Sequence, residues 1–121
     1  MLIAFWIVAG LAAFAFLGAG IMKLVRPVPA LKTAGMNWVD DFSVPSVKLI
    51  ALAEAVGALG LILPAWTGIL PILSPIAAVC LTVIMAGAVV VHVRRKEPAA
   101  PAVVLTVLPL VVAILGFIVF A

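Results

Sequence analysis

The sequence predicts an all-α integral membrane protein, a four-helix bundle with an interfacial segment between helices 1 and 2. Hydrophobic residues make up 69% of the 121 residues and charged residues only 9%, whereas a soluble domain averages about 25% charged. A soluble protein of this size could not bury so much apolar surface. The apolar runs are continuous and do not alternate, which argues against a transmembrane barrel. We expect a single transmembrane domain over residues 1–121.

Four apolar runs are long enough to cross a bilayer. The first has no charged side chain before Lys23, and its helix up to Met22 would extend about 33 Å against a hydrocarbon core of about 30 Å. It lacks the basic start and the short apolar core of a cleaved signal peptide, so we interpret it as a retained span. The predicted helices cover about residues 3–25, 46–63, 72–93 and 102–120.

Proline and serine residues predict where these helices begin and end. The sequence Arg26–Pro29 should stop helix 1 and leave the chain extended. Either Ser43 or Ser46 can cap helix 2. The stretch Pro64–Gly68 is expected to form a short turn before helix 3. Pro109 lies inside helix 4 and should kink it.

The longest polar segment, Arg26–Pro45, mixes aromatic and charged residues. Trp38 is expected at the level of the lipid headgroups, where tryptophan is enriched. Asp41 and Phe42 follow it closely. Two interpretations remain open: a short helix on the membrane surface or a re-entrant cap over the bundle, and an ordinary loop whose aromatic side chains dip into the interface.

The basic residues predict the orientation. All seven flank two loops, and a four-span protein places both loops on one side; these residues are Lys23, Arg26, Lys32, Lys48, Arg94, Arg95 and Lys96. Positive loops face the cytoplasm. We therefore expect a multi-pass protein of the cell membrane with cytoplasmic basic loops and both termini outside. Because the basic residues sit beside membrane spans, nucleic-acid binding is not indicated.

Glu54 lies near the middle of the otherwise apolar second span. A charged side chain at the bilayer centre costs about 2.5–3.5 kcal/mol even on the lenient insertion scale, so such residues are usually paired and face the bundle. Ala51, Gly57 and Ala58 lie one helical turn away on the same face, and small residues allow helices to approach closely in lipid. We predict that Glu54 points into a helix–helix contact. The alternative is a purely structural carboxylate that fixes helix register.

Three ionisable residues on three helices are predicted to lie at a similar depth in the membrane, in the cytoplasmic half of the bundle. Glu54 lies about 12 Å below the cytoplasmic end of helix 2, while Lys23 and His92 lie within a turn of the cytoplasmic ends of helices 1 and 3 and lean inward. We predict that Glu54 contacts Lys23 or His92. Two alternatives remain: Lys23 snorkels to the headgroups, and His92 caps the end of its helix.

Other reactive residues are sparse. Cys80 is the single cysteine, so thiol–disulfide chemistry with a second thiol of this chain is excluded. No cluster of His, Cys, Asp and Glu has ligand spacing, and we expect no dedicated metal site. No motif fixes a cofactor or a reaction.

Four stretches resemble the DoxX-like family of small four-helix membrane proteins, in the form common in actinobacteria: AFLGAGIMKL, GMNWVDDF, KLIALAEAVGALGLILPAWTG and MAGAVVVHVRRKE. The resemblance covers nearly the whole chain. It implies that Lys23, Glu54 and His92 match the family's recurring Lys, Glu and His. It also implies an association with membrane redox complexes, although most members have no established activity.

Two functions from different classes are consistent with the sequence. One is a helical subunit or assembly partner in a membrane complex, which could be redox- or quinone-linked, or a homo-oligomer. The other is a binding protein or enzyme for a lipophilic small molecule such as a quinone, an isoprenoid or a lipid. There Glu54 would handle a proton, and Lys23 or His92 would hold a polar head. The remaining candidate residues, Trp38, Asp41 and Phe42, belong to the segment expected over this site.

Overall fold

Five helices make up the regular structure of the protein. A computed structural model describes residues 1–33 and 42–121, and within those ranges it contains helices and no strands. The helices are α1 (Leu2–Val25), α2 (Val28–Thr33), α3 (Val44–Thr67), α4 (Leu73–Arg94) and α5 (Ala100–Phe120). All but α2 are long and apolar enough to cross a membrane. The prediction of an all-α, four-helix membrane bundle is confirmed.

The four long helices form a closed ring. Helix α1 packs against α3 and α5, and α4 packs against the same two helices. The short connections at residues 68–72 and 95–99 make α3, α4 and α5 successively antiparallel. Large side chains fill the centre of the ring, among them Phe5, Phe16, Leu61 and Leu81. Many apolar side chains face outward, and Phe14 is 85% exposed, as expected of a surface that meets lipid and not water.

Helix α1 lies very close to α3 at Gly20. A Cβ atom there would lie only 2.9 Å from both the Ala51 carbonyl oxygen and the Ala55 backbone nitrogen. Only glycine fits this spacing, because the obstructing atoms belong to backbone. The small residues of α3 thus form two contacts: Ala51 and Ala55 meet α1, while Gly57 lies against Leu81 of α4.

Helix α3 is longer than the sequence predicted. Ser43 caps its start by accepting a hydrogen bond from the Ser46 backbone nitrogen at 3.3 Å. The turn expected at residues 64–68 is wrong, because Pro64 lies inside the helix and the helix continues to Thr67. Gly68 ends the helix with φ 76°, a left-handed conformation that glycine adopts without a steric penalty. A proline removes one backbone donor but does not by itself end a packed membrane helix.

The chain after α1 also differs from the prediction. It is extended only at Arg26, with φ −88° and ψ 140°, and helix resumes at Val28. Pro29 falls in the first turn of α2, where a missing backbone N–H leaves no intrahelical bond unmade. The extended path expected after Arg26 is therefore confined to the junction of α1 and α2.

Helix α2 packs across the ends of α1 and α3. Its Leu31 is fully buried against Val47 of α3, with Met22 and Phe42 packed around them. The polar segment thus begins with a short helix held on the bundle. Residues 34–41, which include Trp38 and Asp41, lie outside the described residues.

The opposite end of the ring closes through aromatic rings. Phe5 of α1 contacts Phe120 of α5 edge to face, with ring centroids 5.0 Å apart. Helix α5 runs through Pro109 as one element; the kink expected there stays a prediction. This end is closed by aromatic contacts. At the other end, where the basic loops lie, the bundle contains a cavity.

The tight crossing at Gly20 predicts opposite effects for two neighbouring glycines. Gly20→Ala should lower stability by about 1–3 kcal/mol, since the added methyl group meets backbone atoms. Gly18→Ala is the control: a Cβ there has nothing within 4 Å, and alanine favours helix by up to about 1 kcal/mol. Thermal unfolding of both variants in detergent tests this, and equal melting temperatures would contradict the tight crossing.

Candidate functional site

A buried ion pair joins α1 to α3. The Lys23 ammonium donates to both carboxylate oxygens of Glu54, at 2.8 and 3.1 Å. The Glu54 side chain is 1% exposed and that of Lys23 is 11% exposed. The expected contact of Glu54 is therefore present, with Lys23 as the partner.

The backbone explains why these two side chains meet. Lys23 lies one turn after Gly20, and Glu54 lies one turn after Ala51, so both side chains come from the turns next to this tight contact. Residues three apart share a helix face. Of the small residues beside Glu54 in the sequence, Ala51 meets α1 at Gly20, and this close contact sets the distance over which the ion pair forms.

Lys48 fixes the end of α1 from α3. Its ammonium donates to the carbonyl oxygens of Lys23 and Arg26, both at 2.5 Å, and of Leu24 at 3.3 Å. The last carbonyls of a helix have no intrahelical partner, and a cation is favourable there. From the sequence, Lys48 was expected only to contribute to the orientation of the protein in the membrane. The one feature of the sequence that could have predicted this capping role is that Lys48 is a basic residue in the first turn of the next antiparallel helix.

A cavity of about 430 Å³ lies beside the ion pair, in the half of the bundle nearest the basic loops. Lys23, Glu54 and His92 all line it. The rest of the described lining is apolar. It comes from all four long helices and from Phe42, which lies just before α3, and it includes Phe16, Met85 and Leu105. The three ionisable residues predicted to converge therefore share the wall of one cavity.

The cavity wall reaches the outside of the bundle at α4. Val83 and Gly87 both line the cavity. Val83 is 66% exposed, and Gly87 is also exposed. A Cβ atom at Gly87 would have nothing within 4 Å. Since α4 is a membrane span, this part of the wall borders the lipid.

His92 lines the cavity and has one buried nitrogen without a hydrogen-bond partner among the described residues. Its ring is half-buried, and its Nδ1 atom is buried with no hydrogen-bond partner among the described residues. A neutral imidazole has one donor and one acceptor nitrogen, and buried polar atoms are nearly always paired. The alternative role of His92, a cap at the end of its helix, depends on the helix dipole and stays a prediction.

Two of the six candidate residues cannot be placed. Trp38 and Asp41 lie outside the described residues, whereas Phe42 is half-buried and lines the cavity. In residues 1–33 and 42–121, no three His, Cys, Asp or Glu side chains could hold a metal ion. The described candidates thus form a site of hydrogen-bonding and apolar groups.

Four membrane-spanning helices define a multi-pass helical membrane protein, with an ion pair and a cavity inside its bundle. The model of the DoxX-like family matches residues 7–116, a range that includes Lys23, Glu54 and His92. The chain belongs to the DoxX-like family. No curated protein and no solved structure matches it.

Removing one partner of the ion pair should strand the other charge in a poorly solvated site. Glu54→Ala is expected to destabilise the bundle by about 3–5 kcal/mol. Glu54→Gln should cost less, because its amide still accepts a hydrogen bond from Lys23. Unfolding curves of the two variants and the wild type measure this order. If wild type and Glu54→Ala are equally stable, the pair contributes nothing to the fold.

Proposed function

We propose that the protein binds a lipophilic small molecule in the cavity beside Glu54. The observation that carries the proposal is that Lys23, Glu54 and His92, from three helices, line one otherwise apolar cavity. Its volume of about 430 Å³ falls within the range of about 300–1,000 Å³ that small-molecule sites occupy. A few convergent polar groups in an apolar cavity are the usual composition of such sites.

The lining suits an amphipathic molecule. Its apolar body would pack on Phe16, Met85 and Leu105, and its polar head would lie at the end where Lys23, Glu54 and His92 meet. A quinone, an isoprenoid or a membrane lipid has this division. Both Glu54 oxygens accept hydrogen bonds from Lys23, so we propose binding and assign no reaction.

The scaffold hypothesis, a helical subunit or assembly partner in a membrane complex, has one observation in its favour. Glu54 is nearly fully buried and its carboxylate is paired, as a purely structural acid would be. Protein interiors are otherwise close-packed. The space next to the ion pair therefore supports binding over a role limited to packing.

The proposed location is the cell membrane, with the basic end of the bundle in the cytoplasm and both termini outside. Lys23 and His92 line the same cavity, so the ends of α1 and α4 lie on one side. Arg26, Lys48 and Arg94–Lys96 accompany those ends. A basic surface on one side of a membrane protein usually faces the cytoplasm.

Cysteine labelling tests this orientation. Cys80 is exposed, so it is first replaced by serine. In that background, a membrane-impermeant maleimide added to intact cells should label Ala121→Cys and leave Lys96→Cys unmodified until the cells are opened. Both native residues are exposed. Ready labelling of Lys96→Cys from outside would reverse the proposed orientation.

A ligand screen tests binding. Thermal shift and native mass spectrometry with menaquinone, farnesol and phosphatidylglycerol should reveal at least one compound that stabilises the wild type. Binding at ten times the dissociation constant raises stability by about 1.4 kcal/mol. The same compound should not stabilise Gly87→Leu, because the new side chain occupies the cavity wall.

Gly18→Leu provides the matched control. Gly18 and Gly87 are both exposed helix glycines whose Cβ positions have nothing within 4 Å, but only Gly87 lines the cavity. Gly18→Leu should respond to the ligand as the wild type does. If no compound stabilises the wild type, or if Gly87→Leu responds equally, the scaffold hypothesis replaces the binding proposal.

A further inference from the structure

We infer that, if the cavity holds a lipophilic molecule as proposed above, this molecule is uncharged and carries a hydrogen-bonding group, such as a hydroxyl, that His92 binds. Two independent features of the wall specify this class: the internal neutrality of the ion pair and the unpartnered nitrogen of His92. The exposed part of the cavity wall at α4 provides an entrance for such a molecule from the bilayer.

The first feature is charge balance. Lys23 and Glu54 neutralise each other, with the ammonium bonded to both carboxylate oxygens. A cationic ligand would have to compete with Lys23 for Glu54, and an anionic ligand would have to compete with Glu54 for Lys23. Either competition breaks this buried ion pair, which is strongly unfavourable. An uncharged ligand leaves the pair intact.

The second feature is His92. It is the other ionisable side chain in the described lining, and its Nδ1 has no hydrogen-bond partner among the residues of the described ranges. A hydroxyl group both donates and accepts, so it complements whichever imidazole nitrogen carries the proton. Rotation of the ring about its Cβ–Cγ bond changes the side on which Nδ1 lies. The nitrogen can therefore turn toward a ligand without movement of the helix backbone.

The position of the exposed wall agrees with an uncharged ligand. Val83 and Gly87 are exposed on a membrane span, about two and a half turns and one and a half turns before His92 along α4. A molecule dissolved in the bilayer can enter there directly. A charged head would have to leave water or the headgroup region and cross apolar surroundings, which costs free energy.

Three matched probes distinguish the charge classes. Farnesol, farnesyl phosphate and farnesylamine share one apolar chain and differ in the charge of the head. Wild-type protein in nanodiscs is photolabelled with a diazirine analogue of farnesol, the labelled peptides are mapped, and each probe is added as a competitor. Farnesol should block labelling of cavity residues at concentrations at least about tenfold lower than either charged probe. A charged probe that competes as well as farnesol overturns the neutral-ligand inference.

Two substitutions of His92 test its role. Phenylalanine keeps a ring but has no nitrogen, so His92→Phe should weaken farnesol competition by about three- to tenfold. His92→Asn places a hydrogen-bonding atom on Cγ where Nδ1 was, and it should recover part of the loss. The charge preference should survive in both variants, because Lys23 and Glu54 are unchanged. Unaltered farnesol competition in His92→Phe overturns the assignment of the hydrogen bond to His92.

Single neutralisations should change the preferred probe. Glu54→Gln removes the negative charge of the pair and should shift the preference toward farnesyl phosphate, while Lys23→Gln removes the positive charge and should shift it toward farnesylamine. If these variants do not fold, the wild-type and His92 comparisons still decide the inference.

The outcomes also separate this inference from the proposed function. Absence of any photolabel on cavity residues of the wild type overturns both. Labelling that all three probes block equally leaves ligand binding in place and overturns only the selection for an uncharged molecule.

Discussion

The ion pair of Lys23 and Glu54 is the interaction on which the arrangement of this bundle depends. A carboxylate and an ammonium buried inside a membrane protein are unfavourable separately and tolerable together, because each supplies the other's hydrogen bonds. The two charges come from different helices. Their pairing therefore fixes how deep α1 and α3 lie relative to each other. Apolar packing alone would allow the two helices to slide along each other.

Several other features hold the pair in place. Gly20 removes the methyl group that would keep the two backbones apart. Lys48 of α3 donates to the last carbonyls of α1, so the end of the helix that carries Lys23 is fixed from the same partner helix that carries Glu54. Leu31 of α2 packs over this corner against Val47. Gly20, Lys48 and α2 all contact the same junction of α1 and α3, and we expect a change in any of them to alter the geometry of the ion pair.

The same joint borders the cavity, so the ion pair is part of both the helix packing and the proposed binding site. A neutral ion pair presents polar atoms without a net charge to attract an ion, and the remaining lining is almost wholly apolar. His92 faces the site from α4 with hydrogen-bonding capacity that the described residues do not use. This combination suits a molecule that dissolves in the bilayer, and membership of the DoxX-like family is compatible with it without naming the molecule.

The sequence by itself determined the class, the four spans and the three ionisable residues of the site. Composition and unbroken apolar runs suffice for the first two, because a bilayer requires about 20 apolar residues for each helix. Glu54 was recognisable because a carboxylate in a membrane helix demands a partner. Only the tertiary structure shows that this partner is Lys23 and not His92. It also shows that Lys48 caps the end of α1 and that α3 continues past Pro64. Depth can be counted along one helix, whereas the rotation and separation of neighbouring helices depend on how side chains from distant parts of the chain pack, and the cavity is the space which that packing leaves.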